Sequence, residues 1–281
     1  MMMEKIDTHM HVWRLARGDY DWMTPDLGAI YRDFQIDDCW EETKAAGISQ
    51  TILVQAAATA AETDYLLSLA AADARVAGVV GWVDFEAPGA VDEIARRAAD
   101  PRMLGLRPMI ADLPDPEWIL APAFTPILDA IARHGLVFDG HARADLIPVM
   151  TQLADRHPAL KIVLNHGGKP QIASGNLAVW RDDLRALAER PNVACKLSGL
   201  LTEAGPHTDD TAIGEIVDHM RACFGPQRTL WGSDWPVLNL AGSYAAWADQ
   251  SARLIARFFP DHQQDVWATN ARRIYLNRSG A

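Results

Sequence analysis

Five stretches of this sequence put imidazole, carboxylate or guanidinium groups where a strand would end. The first is Ile6-Asp7-Thr8-His9-Met10-His11-Val12-Trp13. Residues two apart on a strand face the same side, so His9 and His11 point together. Two imidazoles so placed can share one metal ion or one substrate. The second, Leu164-Asn165-His166-Gly167-Gly168-Lys169-Pro170, offers His166 followed by glycines that permit close approach of a ligand. It reads equally as a tight turn with an incidental histidine. The third, Leu230-Trp231-Gly232-Ser233-Asp234-Trp235-Pro236, carries Asp234. That carboxylate serves as metal ligand, as general base for a water, or as both; the plainer alternative is an aspartate opening a turn before Pro236. Leu106-Arg107-Pro108-Met109 supplies Arg107, whose planar fork can hold a carboxylate or an oxygen-rich ring, or a rim salt bridge. Phe138-Asp139-Gly140-His141 supplies His141 as a third imidazole for a metal or substrate, or as a rim residue. In Lys196-Leu197-Ser198-Gly199, Lys196 and Ser198 share a face. Lys196 there binds substrate oxygens or serves as an ion-pair partner. Trp22, Trp118 and Trp235 offer flat apolar faces suited to a sugar ring, or to packing.

These groups need a scaffold that gathers strand ends. Eight β-rich runs are expected at 5–11, 50–56, 76–84, 103–109, 136–142, 161–166, 192–199 and 229–235. Helical patterns lie between them, at 62–73, 91–99, 126–134, 177–190 and 213–224. Strands separated by helices pair in parallel through crossover connections. Eight such units predict an α/β fold of the closed (β/α)8 TIM-barrel type, one domain over 1–281, with the site at the C-terminal ends of the strands. Gly47, Gly135 and Gly225 sit where helices should end. A further C-terminal helix over 262–277 is expected to close the base or pack on the flank. The segment 14–34 is either a loop over the mouth or a packed N-terminal extension.

Composition narrows the partners. The 281 residues carry a formal net charge of −11. This argues against a nucleic-acid footprint, which needs clustered Lys and Arg, and against an anionic membrane surface. The three cysteines, Cys39, Cys195 and Cys223, are scattered, which fits a reducing compartment such as the cytoplasm. The start of the chain carries no basic and apolar pattern of a secretory signal, and the apolar runs are too short to span a membrane. There is no G-x-S-x-G, no phosphate-binding loop and no dinucleotide fingerprint. No lysine lies on the fourth strand, where some two-metal barrels place a bridging carboxylated lysine.

Taken in order, I-D-T-H-M-H-V-W, G-D-Y-D-W-M, G-L-R-P-M-I, N-H-G-G-K-P, C-K-L-S-G-L and W-G-S-D-W-P resemble the amidohydrolase superfamily. The resemblance is to its amidohydrolase-related branch of sugar-acid lactonases, which holds L-fuconolactonases and L-rhamnonolactonases, with 2-pyrone-4,6-dicarboxylate lactonases as cousins. It covers nearly the whole chain, from His9 to Tyr275. It implies hydrolysis of a cyclic ester by an activated water, with Asp234 as base. It further implies that His9, His11 and His166 bind the carbonyl oxygen or a metal that does so, zinc or another divalent ion. Some members of the branch work without metal. Three positions depart from the pattern: Met10 stands where Gln is expected, Asn165 where Asp is usual, and His141 where relatives more often carry an apolar residue.

The expected substrate is therefore a small sugar lactone of the fucono, rhamnono or galactono type. Catalysis falls to Asp234 and His166. His9, His11, Arg107, Lys196, His141, Trp22 and Trp235 bind substrate, and His9, His11, His141, His166 and Asp234 form the metal-ligand set. A zinc-dependent decarboxylase or amidase of the same superfamily, and a non-catalytic barrel that binds a sugar acid, are the rival readings. A monomer and a homo-oligomer are equally compatible with the sequence.

Overall fold

In the computed structural model, which describes residues 3–277, eight strands stand in sequence order around a barrel. They are β1 (Lys5–Met10), β2 (Ile48–Val54), β3 (Val76–Gly81), β4 (Met103–Leu106), β5 (Val137–Gly140), β6 (Lys161–Leu164), β7 (Val193–Leu197) and β8 (Thr229–Trp231). All seven successive pairs are parallel. The circle closes between β8 and β1 through a Met10–Trp235 bridge, where the His11 N–H donates to the Trp235 carbonyl at 2.7 Å. Around it run α1 (Trp40–Ala45), α2 (Ala60–Ala72), α3 (Ala90–Ala98), α4 (Thr125–Arg133), α5 (Ile147–Arg156), α6 (Ala178–Ala188), α7 (Leu201–Ala204), α8 (Asp210–Phe224) and α9 (Tyr244–Phe258). The expected (β/α)8 barrel is the fold found. Residues 1–2 and 278–281 of the expected 1–281 span lie outside the described residues.

The strands stop earlier than the sequence pattern suggests. β8 ends at Trp231 rather than 235, β6 at Leu164 rather than 166 and β5 at Gly140 rather than 142. The backbone explains part of this. His166 (φ 54°) and Asp234 (φ 62°) adopt left-handed conformations that cannot continue a ladder. The residues singled out for chemistry thus lie just past the strands, on the bends that lead into the loops. In β1 the register shifts between Asp7 and Met10. Ile6 lies in the inner cluster, and this irregularity changes the phase of alternation so that His9 and His11 also face inward.

Helix ends follow the expected chemistry. Thr59 caps α2 by accepting the Glu62 N–H at 3.0 Å. Gly47 and Gly135, with φ of 79° and 65°, take the left-handed conformation that ends α1 and α4.

The core has two shells. The larger lies between strands and helices. The smaller fills the lower barrel interior with Ile6, Ile52, Val80, Leu104, Val137 and Leu230, among others, packed against Ala268, Ala271, Ile274 and Tyr275. Those last four belong to the C-terminal helical segment, residues 263–276, which has widened turns at Asp265–Thr269 and Arg272–Leu276. It closes the base of the barrel rather than packing on its flank, and the Tyr275 hydroxyl donates to Asp139 inside the barrel.

The 14–34 segment leaves and re-enters at a Trp13–Phe34 antiparallel bridge. It is held to the rim by Asp19, which accepts from Arg17 at 2.8 Å and from the Thr59 hydroxyl at 3.1 Å. Trp22 reaches the mouth from this segment. The three cysteines are free thiols. Among the described residues no helix is long and apolar enough to cross a membrane.

Replacing Tyr275 by Phe leaves a buried Asp139 oxygen without its donor. The expected loss is about 1–3 kcal/mol of unfolding free energy, read from urea denaturation. An unchanged midpoint and slope would show that the basal segment does not depend on this bond.

Candidate active site

The site is built where five bends meet above the barrel. Asp234 lies at its centre. The Oδ1 of Asp234 is 3.4 Å from His11 Nε2, 3.6 Å from His9 Nε2 and 3.7 Å from His166 Nε2. The ring centroids of His9 and His11 are 4.9 Å apart, and those of His9 and His166 are 4.5 Å apart. The Asp234 N–H donates to the His9 carbonyl at 2.8 Å, fixing the left-handed bend that aims the carboxylate inward. Bends of this kind are costly and persist only when their surroundings enforce them.

Each imidazole is oriented from behind. The His11 Nδ1 is 2.8 Å from the Val54 carbonyl. A carbonyl can only accept, so Nδ1 carries the proton and Nε2 turns its lone pair toward Asp234. The Lys196 Nζ is 3.2 Å from His9 Nδ1. An ammonium there donates to Nδ1 and leaves the N–H of His9 on Nε2. His166 Nδ1 meets the Ser198 hydroxyl at 2.9 Å. Burial lowers the pKa of all three rings, that of His166 to about 3, because the charged form loses its hydration. Burial alone would raise Asp234. The facing His166 ring, helped by the Lys169 charge, outweighs it and holds the carboxyl below its ordinary range. The resting site is thus one carboxylate among neutral imidazoles.

A cavity of about 250 Å3 opens above them, lined by His11, Trp22, Ala56, Arg107, Met109, Asp112, His141, His166, Lys169, Asp234 and Val237. Arg107 is buried; it donates to the Gln55 carbonyl, and the Gln55 side chain donates back to the Arg107 carbonyl at 2.7 Å. Trp22 donates to the Ala56 carbonyl at 2.7 Å. Ala56 is itself held by Glu62, whose carboxylate accepts the N–H groups of Ala56 and Ala57 at 2.9 and 2.7 Å.

The structure brings His11, His166, Asp234, Arg107, His141 and Trp22 to one cavity wall. It keeps three expected substrate contacts away from that wall. His9 is fully buried beneath the cavity. Lys196 is equally buried and pairs with Asp139 at 2.5 Å. This is the ion-pair alternative for that lysine: inside a barrel a charge must be compensated locally. Trp235 packs edge-on against Phe34 rather than facing the cavity. Trp118 packs on Phe85 and Phe124, also away from it. The sequence reading missed Asp139, Asp112, Lys169 and Gln55. Asp139 had a signal, since it shares a strand face with His141.

The residues fit a metal ion. His9, His11 and Asp234 offer ligand atoms that lie within 4.8 Å of one another. The His9 Nε2 is buried without a hydrogen-bond partner. The His11 lone pair and the Asp234 carboxylate face each other with no proton between them, which a cation would relieve. The Val54 carbonyl behind His11 is the outer partner that metal-bound histidines usually have. His166 stands beside this triad, and His141 lies on another part of the wall with its Nδ1 4.0 Å from Asp112.

Known proteins resemble this chain in sequence over nearly its whole length. A protein named L-fucono-1,5-lactonase from Burkholderia ambifaria is 42% identical over 275 residues, covering 96% of this chain and 95% of the relative. A second protein of that name, from Burkholderia multivorans, is 36% identical with the same coverage. The crystal structure of an amidohydrolase from Burkholderia multivorans with bound Zn superposes with a TM-score of 0.90 at 35% identity, over 96% of this chain and 98% of that one. The amidohydrolase family profile matches residues 6–276, from the first barrel strand to the basal helical segment. The histidine-bearing bends and the basal helical segment fall inside that match, and the chain belongs to the amidohydrolase family.

Proposed function

We propose that this protein hydrolyses the lactone ring of a sugar acid, with Asp234 as general base. One observation carries the reading: a single ionised carboxylate sits among neutral imidazoles at the floor of a cavity of about 250 Å3, in a chain 42% identical to a protein named L-fucono-1,5-lactonase. A neutral ester needs a water made nucleophilic and an oxyanion stabilised. It needs no acylated side chain.

A water beside Asp234 gives its proton to the carboxylate as its oxygen attacks the lactone carbonyl carbon. The oxyanion faces N–H donors. With the Ser198 hydroxyl donating to His166 Nδ1, His166 keeps its proton on Nε2, which faces Asp234 across 3.7 Å. Arg107 presents a second donor, its guanidinium anchored on Gln55 so that it need not reorganise. The ring C–O bond then breaks, and the leaving alkoxide takes back the proton held by Asp234. The hydroxy acid leaves as its carboxylate and releases a proton to solvent. Trp22 offers its indole face to the sugar ring.

Zinc, held by His9, His11 and Asp234, would polarise the carbonyl as a Lewis acid. A metal there would need the His9 Nε2 lone pair, with its proton released to solvent, whereas in the tautomer that Lys196 favours the same atom is a hydrogen-bond donor. The free thiols fit the cytoplasm as the place of action.

Asp234→Asn should lower kcat on a responsive sugar lactone by about 10²–10⁴, measured with a pH-indicator assay. Near-full activity would remove Asp234 from the role of base. After incubation with zinc and desalting, the wild-type protein should keep about one zinc per chain, and His11→Ala should keep little. Equal retention by both would place the metal elsewhere.

A further inference from the structure

A second hollow, of about 380 Å3, lies beside the reaction cavity. Asp112, His141 and Lys169 line both spaces, so the two adjoin along these residues. This border is pinned. The Ala111 N–H donates to the His141 carbonyl at 3.1 Å, and the Arg143 guanidinium donates to the Ala111 carbonyl. Asp234, His11 and His166 line the first space and not the second. Bond breaking therefore belongs to the first, and the second is open only to the part of a ligand that does not react.

The charges of the hollow narrow what that part is. Lys169 is paired with Glu203 at 2.7 Å, and Arg143 faces Asp145 at 3.3 Å. Both cations are thereby compensated. The Asp112 side chain is 61% exposed, and His141 Nδ1, 4.0 Å from it, is beyond hydrogen-bond reach. Gln171 adds an exposed amide. An exposed carboxylate, an imidazole nitrogen without a hydrogen-bond partner and an amide suit hydroxyl groups, and the carboxylate repels an anion. Size agrees. The reaction cavity, at about 250 Å3, is smaller than the roughly 300 Å3 at which small-molecule sites usually begin, whereas the two spaces joined are not.

We propose that this hollow is the subsite for the neutral, polyhydroxylated chain that a sugar lactone carries outside its ring. The inference rests on the lactonase reading above, and it makes Asp112 and His141 specificity-determining residues.

The test is a series of five-membered aldonolactones of matched ring configuration. The shortest, a tetronolactone, has no carbon outside the ring; a pentonolactone and a heptonolactone extend it. For the wild-type protein kcat/KM should rise by about tenfold from the shortest to the longest. A lactone whose chain ends in carboxylate should be poorer than its hydroxymethyl counterpart. Ala144→Phe and Gln171→Trp, made separately, narrow the hollow from two walls. The long-to-short ratio should fall toward one in whichever of them keeps the wild-type melting temperature. A wild-type ratio near one, a ratio kept in both folded variants, or a preference for the carboxylate-ended chain overturns the subsite. No turnover on any lactone would overturn the hydrolase reading instead. The subsite is then judged by the same series read as Kd in titration calorimetry, where equal affinity for short and long members overturns it.

Discussion

The ion pair between Lys196 and Asp139 is the interaction on which the site depends. Both side chains are fully buried inside the barrel, with 2.5 Å between Nζ and the carboxylate oxygen. Two charges removed from water lose several kcal/mol of hydration each, and further buried partners offset part of that loss. Asp139 also accepts from Tyr275 and from the Asn165 amide at 3.2 Å. Lys196 also reaches His9. The network runs from the basal helical segment, through the centre of the barrel, to the first histidine of the site. Asn165 gains a reason here. An amide donates to Asp139, whereas a second carboxylate at that place would face the first.

Above this network the imidazoles are set by what stands behind them. The Val54 carbonyl, the Lys196 ammonium and the Ser198 hydroxyl each meet one Nδ1 atom and leave each Nε2 facing Asp234. Orientation from behind costs nothing at the moment of reaction, because the dipoles are already in place. The left-handed backbone at Asp234 and His166 shows the same logic. The mouth residues leave the strands through bends an ordinary ladder would not allow. Gly199 has a comparable constraint: its φ is +60°, and a Cβ there would lie 2.4 Å from the His166 ring, so only glycine leaves room for that ring.

The walls complete the division of labour. Glu62 and Thr59, at the start of α2, hold the Ala56–Ala57 backbone and the 14–34 excursion. That excursion carries Trp22 to the mouth. Opposite, the bends after β4 and β5 are stapled to each other through Ala111, His141 and Arg143. Rigid strands thus position the reacting groups, and loops shape what can reach them.

Much of this was legible in the residues alone. Alternating β and helical patterns imply a closed parallel barrel. The barrel implies that strand ends meet, and His9, His11, Arg107, His141, His166 and Asp234 stand at or just past those ends. Period-two alternation also placed Lys196 and Ser198 correctly on the inner face. What alternation cannot say is how deep a side chain sits or whom it meets across the barrel. Lys196 meets Asp139, which is 57 positions away in the chain, and that distant carboxylate makes it part of the floor instead of a substrate contact. Trp235 turns onto Phe34 because the 14–34 excursion folds back beside it. Asp112 and Lys169 become walls only because the bends after β4 and β6 are brought together around β5. Residue type and local period are properties of a short stretch of chain. Burial, tautomer and charge partner are set by distant segments that only the closed barrel makes neighbours.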